Sequence, residues 1–137
     1  MQNDEEAPWE YTLYIPHDPR AVFICRHTLR LVLTAHHLAH LIDLAELLAS
    51  ELISNAIAHT DGPAALRLLH NKGVLRLGAW DTDPGPPEPR RAADHDENGR
   101  GLGLVRSCAD EWGWFPLTAA AFGSAGKYVW CEVAAAG

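Results

Sequence analysis

Apolar and polar positions change their period several times along the 137-residue chain, and each change marks an element. Tyr11-Thr12-Leu13-Tyr14-Ile15 is rich in strand formers and is stopped by Pro16. From about residue 19 the apolar residues recur at helical spacing, with Val22, Ile24, Leu29, Val32 and Leu33 as expected core contributors. The segment AHHLAH marks a joint, and a second helix is predicted over 41–58, ended by Asp61-Gly62-Pro63. Two short apolar runs, 65–70 and 74–80, joined by Asn71-Lys72-Gly73, predict a β-hairpin. Residues 82–98 are Pro/Gly-rich and then charged, and read as a loop. A helix over 101–110 and strands over 112–117 and 127–133 complete the pattern. The order β-α-α-β-β-loop-α-β-β predicts an α+β two-layer sandwich, not a doubly wound parallel fold.

Length and charge narrow the picture. A chain of 137 residues fits one domain, expected over 11–137 behind a flexible tail over 1–10. The net charge of −7 argues against a general nucleic-acid or anionic-membrane binder, which needs a basic surface. It leaves room for a small nucleotide, which needs only a local positive site. Cys25, Cys108 and Cys131 are scattered without a CxxC pair, as expected of reduced thiols in a cytoplasmic protein. The acidic start MQNDEEAPWE has no apolar core and does not read as a signal peptide. No apolar run approaches the roughly 18 residues of a membrane span.

The helix ending in ELISNAIAHT carries the first candidate chemistry. At about 100° per residue, Asp43, Glu46, Ser50 and Ser54 share the solvent side, and Leu41, Leu44, Ala45, Leu48, Leu52 and Ala56 share the other. Glu51 and Asn55 fall near the edge of the apolar arc, with His59 one turn further along the same strip. A buried unpaired carboxylate costs several kcal/mol, by rough estimate. The strip therefore reads either as a satisfied internal network or as the wall of a pocket, with Asn a metal ligand and Glu a base.

Two further motifs bear on that choice. In LRLGAWDTDPGPP, Leu75, Leu77, Ala79 and Asp81 share one strand face, so Asp81 points toward the interior unless it only starts the turn. In NGRGLGLV, glycines 99, 101 and 103 open an apolar helix, beside Arg100. Such a turn brings backbone amides close to an anion, although glycines there also serve packing. Neither a Walker loop nor a dinucleotide fingerprint is present. His36, His37 and His40 read as a surface cluster at the helix joint, not a zinc site. Trp80, Trp112, Trp114 and Trp130 read as core packing, and Cys108 as a buried packing thiol.

Taken in order, E-x-x-x-N-A on a helix, D-x-x-x-G after a strand and G-R-G-L-G-L-V opening a helix resemble the GHKL ATPase superfamily. Within it the chain is most similar to single-domain bacterial anti-sigma-factor serine/threonine kinases, over roughly residues 11–133, including Gly126-Lys127-Tyr128-Val129-Trp130. The resemblance implies a Bergerat fold with a mixed, mostly antiparallel sheet, helices on one face, and ATP with Mg²⁺ under a lid. It implies Asn55 as Mg²⁺ ligand, Glu51 as general base and Asp81 as acceptor for the adenine amino group. It assigns Gly85 to close passage of the backbone by the base, and Gly99, Arg100, Gly101, Leu102 and Gly103 to the phosphates. His59 extends the binding strip. The chain departs from the pattern at Asp83, where a glycine is usual, at a short charged lid over 86–98, and at Tyr128, where a small Thr is common. The implied partners are a sigma factor or a small antagonist protein, with no direct nucleic acid and no membrane, and homodimerisation is common in similar proteins. The alternatives are a nucleotide-responsive binding module without kinase activity and an adaptor on a decayed ATPase fold.

Overall fold

The computed structural model describes residues 7–58, 63–83, 101–117 and 125–135. Within them the chain forms β1 (Trp9–Ile15), α1 (Arg20–Ala35), α2 (Ile42–Ala58), β2 (Ala64–Asn71), β3 (Val74–Asp81), α3 (Gly101–Cys108), β4 (Glu111–Leu117) and β5 (Gly126–Ala134). The order is the one the residue pattern predicts. β1 begins opposite His70, so Trp9 and Glu10 belong to the sheet rather than to the tail expected over 1–10.

One sheet holds the strands in the order β1-β2-β3-β5-β4. Every pairing among the described residues is antiparallel, so the mostly antiparallel sheet expected is wholly so here. The β2–β3 hairpin closes through Lys72 and Gly73, whose φ values of 53° and 80° are the left-handed pair of a two-residue type I′ turn. That geometry suits the right-handed twist of the flanking strands, and glycine at the second position takes it without strain.

Helices cover one face of the sheet. Leu66, Leu68, Leu75, Leu77, Ala79, Val129, Cys131 and Val133 point toward them and are buried. α2 is the central helix, packing against α1, α3, β2 and β3. This is why its buried arc is wide: Ala49 and Ile53 join Leu48 and Leu52 at 1% exposure or less. Each such aliphatic side chain contributes about 1.5–3 kcal/mol through burial. Glu46, expected on the solvent face, is only 13% exposed because Arg30 of α1 pairs with it at 2.9 Å.

α1 buries Ala21, Cys25, Leu29 and Leu33, one residue per turn. Val22 and Val32 flank that stripe as expected. Ile24 does not: it is 56% exposed, because it lies across the helix from the stripe, beside Leu31 at 71%. Between α1 and α2, His37 takes a φ of 63° and a 3-10 turn over Ala39–Leu41 completes the joint.

The second face of the sheet carries large rings over small residues. The Tyr128 ring lies where a side chain at Gly78 would go, and the Trp130 ring covers Gly113 on β4. Arg76 sits 4.3 Å over the Trp130 ring. Core packing therefore describes Trp112 and Trp114, whereas Trp80 and Trp130 belong to this outer face, one residue out of phase with the inward positions. Cys108, expected as a buried thiol, is exposed at the last position of α3.

Candidate functional site

The strip on α2 sits where its helical angle puts it. Asn55 is 6% exposed and Glu51 half-buried, while Ser54 beside them faces solvent. Both lie in the C-terminal half of α2, the helix that packs on β3 and on α3. The three segments that carry the motifs are thus spatial neighbours. His59 lies outside the described residues.

At the end of β3, Asp81 follows Leu75, Leu77 and Ala79 on the inward face and is 1% exposed. It does start the turn, since its Oδ1 accepts the Asp83 amide at 2.8 Å. It is also the acceptor for a second, unanticipated group. Lys127 of β5 stands directly opposite in the register. Its ammonium donates to Asp81 Oδ1 at 3.0 Å and lies 3.0 Å from Oδ2. A longer bond of 3.3 Å runs from Lys127 Nζ to the Asp83 carbonyl, with the Asp83 carboxylate 3.9 Å away. Burial pushes the Asp81 carboxyl above its ordinary range, and the Asp83 amide and the Lys127 ammonium pull against that shift.

Gly126 makes the pairing possible. A side chain there would overlap the Asp81 carbonyl oxygen, so only glycine lets β5 run this close and bring the next residue opposite Asp81. Tyr128, singled out in the sequence as the departure near this strand, faces the other side of the sheet. The signal for Lys127 was available: Lys127, Val129, Cys131 and Val133 alternate along one strand face, and a lysine continuing an apolar row needs an acid partner.

α3 begins at Gly101 and includes Leu102 and Gly103. Among the described residues nothing lies within 4 Å of where a Gly103 side chain would point. Gly85, Gly99, Arg100 and the lid over 86–98 lie outside the described residues. Two of the joint histidines have separate partners: His36 Nε2 bonds the Tyr11 hydroxyl at 2.8 Å, and His40 Nε2 donates to the Ala135 carbonyl at 2.8 Å. Among the described residues no group of three or more His, Cys, Asp or Glu could hold a metal. Nor is any described helix long and apolar enough to cross a membrane.

An antiparallel sheet with helices on one face, carrying its polar side chains where β3, α2 and α3 meet, defines an α+β domain of the Bergerat ATPase kind. The model of the histidine kinase-like ATPase domain matches residues 15–116, and the chain belongs to that family, within the GHKL ATPases. No curated relative matches the chain. The matched span includes Glu51, Asn55, Asp81 and Gly101 to Gly103, and stops short of Lys127. Membership implies ATP binding.

Proposed function

We propose that the protein is a cytoplasmic regulator of transcription: an anti-sigma factor and serine/threonine kinase that transfers the ATP γ-phosphate to a small antagonist protein. The observation that carries this reading is Asp81, a carboxylate held at 1% exposure at the end of an apolar strand that packs on α2, the helix of Glu51 and Asn55. The space that the described residues leave beside Gly103 is compatible with a phosphate-bearing ligand, and the buried carboxamide of Asn55 with a hard cation, which takes oxygen ligands and keeps several waters.

When bound, ATP with Mg²⁺ supplies the phosphoryl group and a cation that offsets the phosphate charge. Asn55 would hold that cation through its carboxamide oxygen. Glu51 takes the proton from the attacking hydroxyl of the substrate Ser or Thr. Asp81 would accept from the adenine amino group, and Gly85 is the residue assigned to close passage by the base. In this reading Gly99, Arg100, Gly101, Leu102 and Gly103 would hold the phosphates, since oriented amides stabilise negative charge. A sigma factor, the antagonist or both are the partners in this reading, which is compatible with the homodimerisation common in similar proteins.

Labelled phosphate transfer from ATP to a candidate antagonist tests the proposal, with Glu51→Gln as control. Transfer by the wild type that falls at least about a hundredfold in the variant supports it. Equal transfer by both removes Glu51 from its role. A second reading, a nucleotide-responsive binding module without transfer, draws on Asp83, whose acidic side chain is 37% exposed beside Lys127. It predicts Mg-ATP binding by calorimetry with no phosphoryl transfer to any partner. A melting temperature unmoved by millimolar Mg-ATP points instead to an adaptor on a decayed fold.

A further inference from the structure

The proposed mechanism leaves Lys127 at this corner without a role. This lysine is 1% exposed and spends its ammonium on Asp81 and on the Asp83 carbonyl. An ammonium has three N–H donors and no acceptor. Here they are spread over Asp81 Oδ1, Asp81 Oδ2 and the Asp83 carbonyl, at 3.0, 3.0 and 3.3 Å. Asp81 Oδ1 also holds the Asp83 amide, so Oδ2 is the less committed oxygen.

Oδ2 has room for a second donor, so a base whose amino group binds there comes to lie against the ammonium, competes with it for the same oxygen and shields its N–H groups from other acceptors. In a site this buried, a donor left without a partner costs more than the new bond returns. The competition is offset if the same base brings an acceptor next to its amino group. Adenine does: the ring nitrogen N1 adjoins the carbon that bears the amino group. With adenine bound, Lys127 keeps Oδ1 and the Asp83 carbonyl and turns its third N–H to N1.

We propose that Lys127 is a specificity-determining residue of the nucleotide site, donating to adenine N1 while Asp81 accepts from the adenine amino group. The inference rests on the reading of Asp81 as the base acceptor. Asp83 has a role in it too. The side chain that departs from the family pattern stands 3.9 Å from the ammonium and partly offsets its charge, and its carbonyl keeps one N–H engaged throughout.

Calorimetric titration with Mg-ATP and two analogues separates the contributions. 1-Deaza-ATP replaces N1 by C–H, and purine riboside triphosphate lacks the amino group. For the wild type, both analogues should bind about tenfold or more weakly than ATP. In Lys127→Met the penalty for 1-deaza-ATP should vanish, ATP and 1-deaza-ATP binding within about twofold, while the penalty for purine riboside triphosphate persists. Equal binding of ATP and 1-deaza-ATP to the wild type overturns the role of Lys127, whether or not the variant folds, and leaves Asp81 standing if purine riboside triphosphate is still rejected. No binding of any of the three overturns the nucleotide site itself.

Discussion

Removing the Lys127 ammonium while keeping most of its aliphatic length is a direct test of what holds the β3–β5 corner together. In Lys127→Met the Asp81 carboxylate loses its counter-ion, and with side-chain exposures of 1% and 2% for the pair it cannot turn to water. Deleting one partner of a buried pair costs about 3–5 kcal/mol, because the other charge is left in a poorly solvating interior. Asp81 keeps the Asp83 amide at 2.8 Å and has protonation as a second outlet, so the lower end, about 3 kcal/mol, is expected. At roughly 2.1 cal/mol/K of unfolding entropy per residue, 137 residues give about 0.29 kcal/mol/K, and the variant should melt about 10 °C lower at pH 7.

The pH dependence has a definite sign. Burial holds the folded-state Asp81 carboxyl above its ordinary value, and losing the ammonium raises it further. A group raised on folding favours the folded state below its unfolded value and loses that contribution as pH rises through the folded one. The deficit of Lys127→Met should therefore be small near pH 4 and grow toward neutrality. Melting followed by circular dichroism from pH 4 to 8 measures it, with Asp81→Leu/Lys127→Met as companion. An apolar pair of similar bulk should recover most of the loss. If the single variant melts within about 2 °C of the wild type at pH 7, or the double variant melts no higher than the single, the ion-pair argument is wrong.

Two further predictions concern neighbouring features. Gly126→Ala should lower the urea unfolding midpoint by the equivalent of about 1–3 kcal/mol, since its methyl would overlap the Asp81 carbonyl oxygen and meet Trp80 Nε1 at 3.1 Å; an unchanged midpoint would refute the close approach. Burial pushes the thiols of Cys25 and Cys131 up to about 11 and about 12, whereas Cys108 is exposed, so iodoacetamide at pH 8 should modify Cys108 in the native protein and the other two only after unfolding. Peptide mapping by mass spectrometry reads the sites, and native modification of Cys25 or Cys131 would contradict their burial.

Most of the fold is legible in the sequence because period and punctuation agree. Pro16, the Asn71-Lys72-Gly73 turn and the alternation up to Asp81 each locate a boundary that the structure keeps. The misreadings arise where one element has several neighbours or none. Ile24 joins the apolar pattern of its helix, but the buried stripe of α1 runs through Ala21 and Cys25 instead. Glu46 looked exposed on its own helix, yet Arg30 arrives from another. At the site, the inward turn of Asp81 could be read from β3. Its partner could not be read from β3, because the register that sets Lys127 opposite it joins strands 46 residues apart.

β5 runs from one end of the sheet to the other, with Lys127 opposite Asp81 and Ala134 opposite Val74 at the hairpin. Beyond it, the Ala135 amide donates to the Gly73 carbonyl at 2.7 Å, and the Ala135 carbonyl accepts from His40 at 2.8 Å. The exit of the last strand is thus stapled to the hairpin end, roughly 23 Å from Asp81 at about 3.3 Å per residue. A fluorophore attached at that staple stands clear of the Asp81–Lys127 corner. It is still within energy-transfer distance of a dye on a nucleotide held at that corner as proposed, so occupancy could be followed optically without altering Asp81 or Lys127.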